Sequence, residues 1–565
     1  MRKLWFTTAL IGLTACDLAP DFKMPELAVP EVFKEASVAP NVAEPAEPNV
    51  EPASDGKWKR VDDKAHIEEF AWWRMFNDSG LNALQEQAMK DSPSLEVAAE
   101  RMTRARATAG VVDAELYPQI TAGVGPTIQR NSPGGIKPAS FAYVKPHTIY
   151  NARGTISYEL DIFRKNRNAD KAANLQAEGE ENNFRAARLS LQAEVAQTYF
   201  QLAALRNEAA LLADTVKTRK KALELTRKKR DVGAVDDVAV STAETDLANV
   251  ESEQASVLQQ QALQEHALAI LVGKPPASLV LNEVKLGKTP PVIPAGMPSA
   301  LLERRPDIHA AVKNMAAANA SIGAARAGYF PDITLSASGG FSSGELDQLF
   351  NWSNRTWMIG PLAGTMLTQP IFQGGAVSAR VAQRRSDFAS SVASYRQSVL
   401  QAFREVEDNL SDLRHLSDRA AASAKSLKSA QRTFDMVNKR YQVGSVSYLE
   451  QLDAQRSLLT AQRNSVQVLG NRYVSTVQLV KALGGSWEAA PEQTKVENLP
   501  ALKPITEPAA DVKPAPETSV MDTWVDSVAS AFDAEPAPVN NAPEAVPAVV
   551  KNNESLPPAE LPVVK

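Results

Sequence analysis

Two stretches of more than a hundred residues carry no proline, one from Asp170 to Lys274 and the other from Ile371 to Glu488. Inside the second, Val399, Val406, Leu413, Ala420, Leu427, Phe434 and Tyr441 stand seven apart without a break. In the first, Val195, Leu202, Ala209, Val216 and Leu223 do the same, and Leu191, Leu205 and Leu212 fill the alternate seam. Apolar residues sustained at this period select coiled-coil helices over strands or a compact helical domain. At 1.5 Å per residue, the stretch from about 170 to 232 spans roughly 95 Å, longer than one globular core. The chain is therefore expected to be elongated.

The same landmarks occur twice in the same order. Tyr117-Pro118-Gln119-Ile120-Thr121 is echoed by Phe330-Pro331-Asp332-Ile333-Thr334, and Val232-Gly233 by Val443-Gly444. Ala243 and Leu247 match Ala454 and Leu458, and Leu271-Val272-Gly273 matches Ala482-Leu483-Gly484. A duplicated unit follows. Each copy predicts a helix of moderate length (about 80–114 and 299–327), two strands, a very long helix, a glycine turn and a returning helix. The repeats are placed at 58–298 and 299–488, with strand pairs at 118–161 and 331–370. Their hairpins run over 165–272 and 374–484 and turn near 233 and 444. Glycine at each turn supplies the positive φ that such a reversal needs.

The strand runs alternate polar with apolar or small residues, as in Gln119 to Gly125 and Asp332 to Ser338. That period suits a sheet with one apolar and one wet face. Four strands cannot close a membrane barrel, because the smallest barrels need about eight. Open edges then call for other copies of the chain. The fold class expected is mainly α with a membrane β portion.

The two ends differ from this middle. Arg2 and Lys3, followed by an apolar run from Leu4 to Leu13, form a secretory signal over residues 1–15. It ends in Leu13-Thr14-Ala15-Cys16, similar to a bacterial lipobox. Cys16 is the only cysteine, so no disulfide partner competes for it. Acylation of Cys16, and through it contact with membrane lipid, is expected; Asp17 behind it conflicts with an outer-membrane destination, because in enteric bacteria an aspartate there tends to be a sorting signal that retains lipoproteins in the inner membrane. Residues 16–57 are proline-rich and predicted to be a tether with little to bury, and 489–565 a Pro/Ala-rich disordered tail.

Enzyme chemistry is not written in this chain. Its five histidines are scattered without ligand spacing, and no GxxxxGK phosphate loop occurs. No metal, no cofactor and no catalytic set are expected. A formal net charge of −5 offers no basic surface for nucleic acid. Asp236 and Asp237, just past the first glycine turn, and Asp453, past the second, are candidates for carboxylate rings at an aperture. Capping of the returning helix explains the first two equally well.

Arg230-Asp231-Val232-Gly233-Ala234 and Arg440-Tyr441-Gln442-Val443-Gly444-Ser445 resemble the paired helix turns of the TolC-type outer-membrane efflux family. The continuation Tyr448 to Leu458, Leu302-Glu303-Arg304-Arg305-Pro306-Asp307-Ile308 and Ala327-Gly328-Tyr329-Phe330-Pro331 look like its lipoprotein branch. The resemblance covers about residues 60–488 and the anchor; the 38–56 insertion and the tail depart from it. It implies a homotrimer whose strands close a twelve-stranded barrel in the outer membrane. Long helices would continue it as an α-barrel across the periplasm, with an equatorial belt around its middle. The implied role is export of small molecules as the exit duct of a tripartite system. Its partners would be a periplasmic adaptor and an inner-membrane pump of the resistance-nodulation-division class. Val232, Gly233, Ala234, Val443, Gly444 and Ser445 are the implied adaptor-docking turns. Where family members often carry an acidic residue after the second turn, this chain has Val446. A duct for protein secretion and a lipid-anchored coiled-coil adaptor remain alternatives on the sequence alone.

Overall fold

The computed structural model describes residues 17–25, 32–35, 71–130, 146–281, 284, 286–291, 293, 304–360 and 365–485. These lie in one compact unit, Met1–Pro491; a second unit is Glu492–Lys565. Cys16, the signal, the 38–56 insertion and the tail from 489 fall outside the described residues.

Seven α-helices and five strands form the described part of the chain. They are α1 (Ser79–Asp91), α2 (Pro93–Asp113), β1 (Gln119–Gln129), β2 (His147–Glu159), α3 (Lys165–Asp231) and α4 (Asp237–Leu271). The second copy supplies α5 (Pro306–Ala327), β3 (Asp332–Ser343), β4 (Arg355–Ile359), β5 (Thr365–Thr368), α6 (Ala376–Gln442) and α7 (Tyr448–Ala482). Lys165 and Ala376, Asp231 and Gln442, Asp237 and Tyr448, and Leu271 and Ala482 are each 211 positions apart. The duplication thus fixes both ends of both hairpins. Two details depart from the sequence expectation. The first short helix is two, because Pro93 cannot continue the ladder from α1 and instead starts α2 at its first turn. The fourth strand is two pieces, β4 and β5, both paired with β3.

α3 and α6 are 67 residues each, about 100 Å long. Heptad seams hold them to their neighbours. Val195, Leu202, Ala209, Val216 and Leu223 are all buried, as are Val399 and Val406. All four hairpin helices end alike. The amide of Ala234 donates to Lys229 O, Ser445 to Arg440 O, Lys274 to Ala269 O and Gly485 to Val480 O. Each is the 6→1 bond of a Schellman cap, closed by a positive-φ glycine (Gly233, Gly444, Gly273, Gly484).

The main apolar core sits at mid-length of α3. Trp72, Trp73, Leu81, Tyr199, Phe200, Leu202, Leu268, Tyr473 and Val477 pack there, drawn from the start of the first repeat and the returning ends of both hairpins. The rings of Phe200 and Tyr473 pack tilted by 36°, with centroids 4.7 Å apart. Asp78 caps α1 through Leu81 N at 3.0 Å and also accepts from Tyr199 Oη at 2.7 Å. This girdle occupies the place of the expected belt. The tether buries more than expected. Phe33 is 1 % exposed against Val406, Leu479, Ala482 and Leu483, and Glu407 accepts from the amides of Lys34 and Glu35.

Candidate functional site: an amphipathic sheet and paired helical tips

The sheet runs in the order β1-β2-β3-β4, with β5 beside β4 on the same flank of β3, and all pairings are antiparallel. Register sorts its side chains into two faces. Ile120 faces Ile156, Val124 faces Ala152, Tyr158 faces Leu335, and Gly339 faces Trp357, so one face is mostly apolar, with Arg355 opposite Phe341 and Thr365 opposite Leu335 among its polar exceptions. Thr121 opposes Thr155, Gln119 opposes Ser157, and Ser338 and Ser336 continue those rows, so the other face is polar. Ile120, Val124, Trp357 and Leu367 stay mostly exposed in the single chain. β1 and the β4/β5 flank have no further partner among the described strands. Unpaired backbone along both edges and an uncovered apolar face call for more copies and for lipid. Among the described residues no helix is long and apolar enough to cross a membrane.

At the opposite end of the long helices lie the two turns. Val232 and Val443 are each 79 % exposed, and Gly233, Ala234, Gly444 and Ser445 are exposed with them. Val238 and Leu449, again 211 apart, add a second exposed apolar side chain to each tip. Within the chain the tips are tied together: Lys229 Nζ donates to Tyr441 Oη at 3.1 Å and lies 4.6 Å over its ring. Tyr448 stands 6.1 Å from Tyr441.

Of the acidic candidates, Asp236 is the N-cap of α4, accepting from Ala239 N at 3.0 Å. Asp237 is 85 % exposed and 3.5 Å from Arg230 Nη1. Two neighbouring carboxylates, Asp231 first and then Asp237, hold the Arg230 guanidinium more firmly protonated than usual. Asp453 is 64 % exposed, its nearest cation Arg456 at 3.9 Å. The structure thus brings Asp236 and Asp237 to the first tip and leaves Asp453 one turn inside α7. Ser447 caps α7 in the place Asp236 holds in the first copy. Arg305, the residue before α5, is bound by Asp307, Glu405 and Ala482 O.

Sequence reasoning missed a polar ladder between the hairpins. Arg219 Nε lies 2.7 Å from Asp246 Oδ2, Arg456 Nε 2.8 Å from Asp246 Oδ1, and Arg219 Nη1 donates to Gln455 Oε1 at 2.6 Å. One heptad further from the tips, Arg463 reaches Glu208 and Glu253, both at 2.8 Å. Burial weakens the proton affinity of Arg219, and Asp246 opposes that effect. The signal was present, because Arg219 falls in the seam of Leu191, Leu205 and Leu212, where a charge needs an explanation.

Comparison with known proteins agrees with this geometry. A family model described as outer membrane efflux protein matches residues 84–274 and 297–485. The cation efflux system protein CusC of Escherichia coli O6:H1 is 31 % identical over 490 residues, 86 % of this chain and 99 % of that protein. The toluene efflux pump outer membrane protein TtgF of Pseudomonas putida is 30 % identical over 490 residues, covering 86 % and 98 %. The solved outer-membrane channel OprN superposes with a TM-score of 0.71 at 26 % identity, over 84 % of this chain and all of its own. A solved CusC structure gives 0.67 at 27 % identity, over 83 % of this chain and all of its own.

Proposed function

The chain belongs to the outer membrane efflux protein family, and from that premise we propose that three copies form one duct, the exit component of a tripartite system exporting small molecules. It is a channel component and not an enzyme. The observation that carries the trimer is the sheet: four strand positions, two open edges, one apolar and one polar face. Three such sheets make twelve strands, enough to close around a wet lumen with lipid outside. The long hairpins then continue the wall into the periplasm. Cys16, acylated, anchors each chain in the outer membrane.

The exposed apolar pairs Val232/Val238 and Val443/Leu449 fit docking by the helical hairpins of a periplasmic adaptor. An inner-membrane pump of the resistance-nodulation-division class supplies the cargo. Asp237, outermost of the acidic candidates, forms the carboxylate ring at the entrance, with Asp236 behind it in its capping role and Asp453 further along the wall. The efflux names of CusC and TtgF favour small solutes over secreted protein.

The test is a heat-modifiable gel shift of outer-membrane fractions, with native mass measurement of the purified chain. A species of three chains that dissociates only on heating supports the proposal. A monomer recovered from the soluble periplasm overturns it.

A further inference from the structure

The described chain opens with four residues that have little secondary structure but many partners. Asp17 Oδ1 accepts from Ala19 N at 3.0 Å and from Asn168 Nδ2 at 3.2 Å. Its Oδ2 accepts from Arg164 Nη1 at 3.2 Å. The Leu18 carbonyl accepts from Arg326 Nη1 at 3.0 Å, and the Pro20 carbonyl from Asn319 Nδ2 at 2.7 Å. Arg164 and Asn168 stand at the start of α3, just after β2; Arg326 stands in the last turn of α5, just before β3, and Asn319 about two turns earlier on the same helix. The first pair belongs to the first repeat and the second pair to the second.

Asn168 and Asn319 are only 2 % and 5 % exposed. A buried amide must find hydrogen-bond partners or lose stability, and residues 17–20 supply one to each. The fit is close: a Cβ on Gly323 would meet Asn168 Nδ2 at 2.6 Å and Ala19 N at 2.8 Å. The helices are shaped around this segment.

We propose that residues 17–20 are a clasp that ties the two repeats together at the base of the sheet and fixes the level of the chain just after the lipid anchor, with Asp17 as its positioning residue. The aspartate behind the anchor cysteine is then explained by the fold. Its carboxylate answers three donors, one of them from its own strand of chain. The part of this inference that concerns the anchor rests on acylation of Cys16; the part that joins the repeats does not.

Hydrogen exchange of the full chain in its membrane, followed by mass spectrometry over the peptide containing Ala19, reads the clasp directly. Asn168→Ala should speed exchange by about tenfold, the effect of losing one charge-assisted bond on a local opening, and Asp17→Ala, which loses all three, by at least as much. Asp17→Asn keeps the acceptor oxygen without the charge and should fall between wild type and Asp17→Ala. Membrane fractionation of the same variants separates this role from a sorting signal. The clasp predicts that Asp17→Ala and Asn168→Ala distribute alike. Unchanged exchange in both variants overturns the proposal, and so does relocation of Asp17→Ala alone. If the mass of the N-terminal peptide shows no acyl chains, the anchor reading fails and exchange alone decides the clasp.

Discussion

Arg219 and Asp246 form an ion pair, Nε to Oδ2 at 2.7 Å, with 2 % and 3 % of their side chains exposed. They come from the two arms of the first hairpin, and Arg456 of the second hairpin reaches the other oxygen of the same carboxylate. One buried aspartate therefore holds three helices in register.

Removing that carboxylate is expected to be costly. Asp246→Ala strands a buried guanidinium and should destabilise the hairpins by about 3–5 kcal/mol, whereas replacing both members, Arg219→Met with Asp246→Leu, should come close to neutral. Thermal unfolding of the purified protein in detergent checks this. A double variant as damaged as the single one would contradict the pair's role.

The turn glycines separate local strain from global stability. Gly233 and Gly444 have φ of 74° and 76° and open space where a Cβ would lie. Gly444→Ala should cost about 1–2 kcal/mol at the tip only. Hydrogen exchange at the tip should accelerate while the central girdle stays protected.

Asp236 and Asp237 are neighbours with separable jobs. Asp236→Ala removes an N-cap and should cost about 1 kcal/mol of hairpin stability. Asp237→Asn leaves the cap intact and should change cation selectivity without moving the melting temperature. Conductance under a salt gradient, beside a melt of each variant, distinguishes them.

Acid should open the clasp. Burial pushes the Asp17 carboxyl up, but donation from Ala19 N and Asn168 and the charges of Arg164 and Lys171 outweigh it and leave it below 3.8. Arg326 faces the segment from α5. A carboxyl depressed on folding stabilises above its unfolded pKa and loses that contribution as pH falls through the folded one. Protection at Ala19 should hold at neutral pH and decline below about pH 3.8, a loss that Asp17→Asn should not show.

Much of this architecture could be read from local pattern. Heptads such as Val399 to Tyr441 state helix and seam together, and the recurrence of Val-Gly placed both reversals. Alternation in Gln119 to Gly125 gave the faces of the sheet. What stayed hidden depended on partners remote in sequence. Phe33 finds its pocket at Val406 and Leu479, and Asp17 its donors at Arg164 and Asn168, so composition alone left the tether with little to bury. Capping by Asp236 was one of two readings that local sequence could not separate. The structure shows the cap, and the two roles are compatible.

The central claim is that the polar face of β1 to β3 lines a shared aqueous lumen while the apolar face meets lipid. Planar-bilayer recording of variants with one cysteine besides Cys16 tests it, with a cationic, membrane-impermeant thiol reagent as the probe and the wild type as the control. Conductance should fall when the reagent reaches Thr121→Cys or Ser338→Cys, and should not change for Ile120→Cys or Val124→Cys. A protein that never conducts, or a block seen only from the apolar face, would contradict the account.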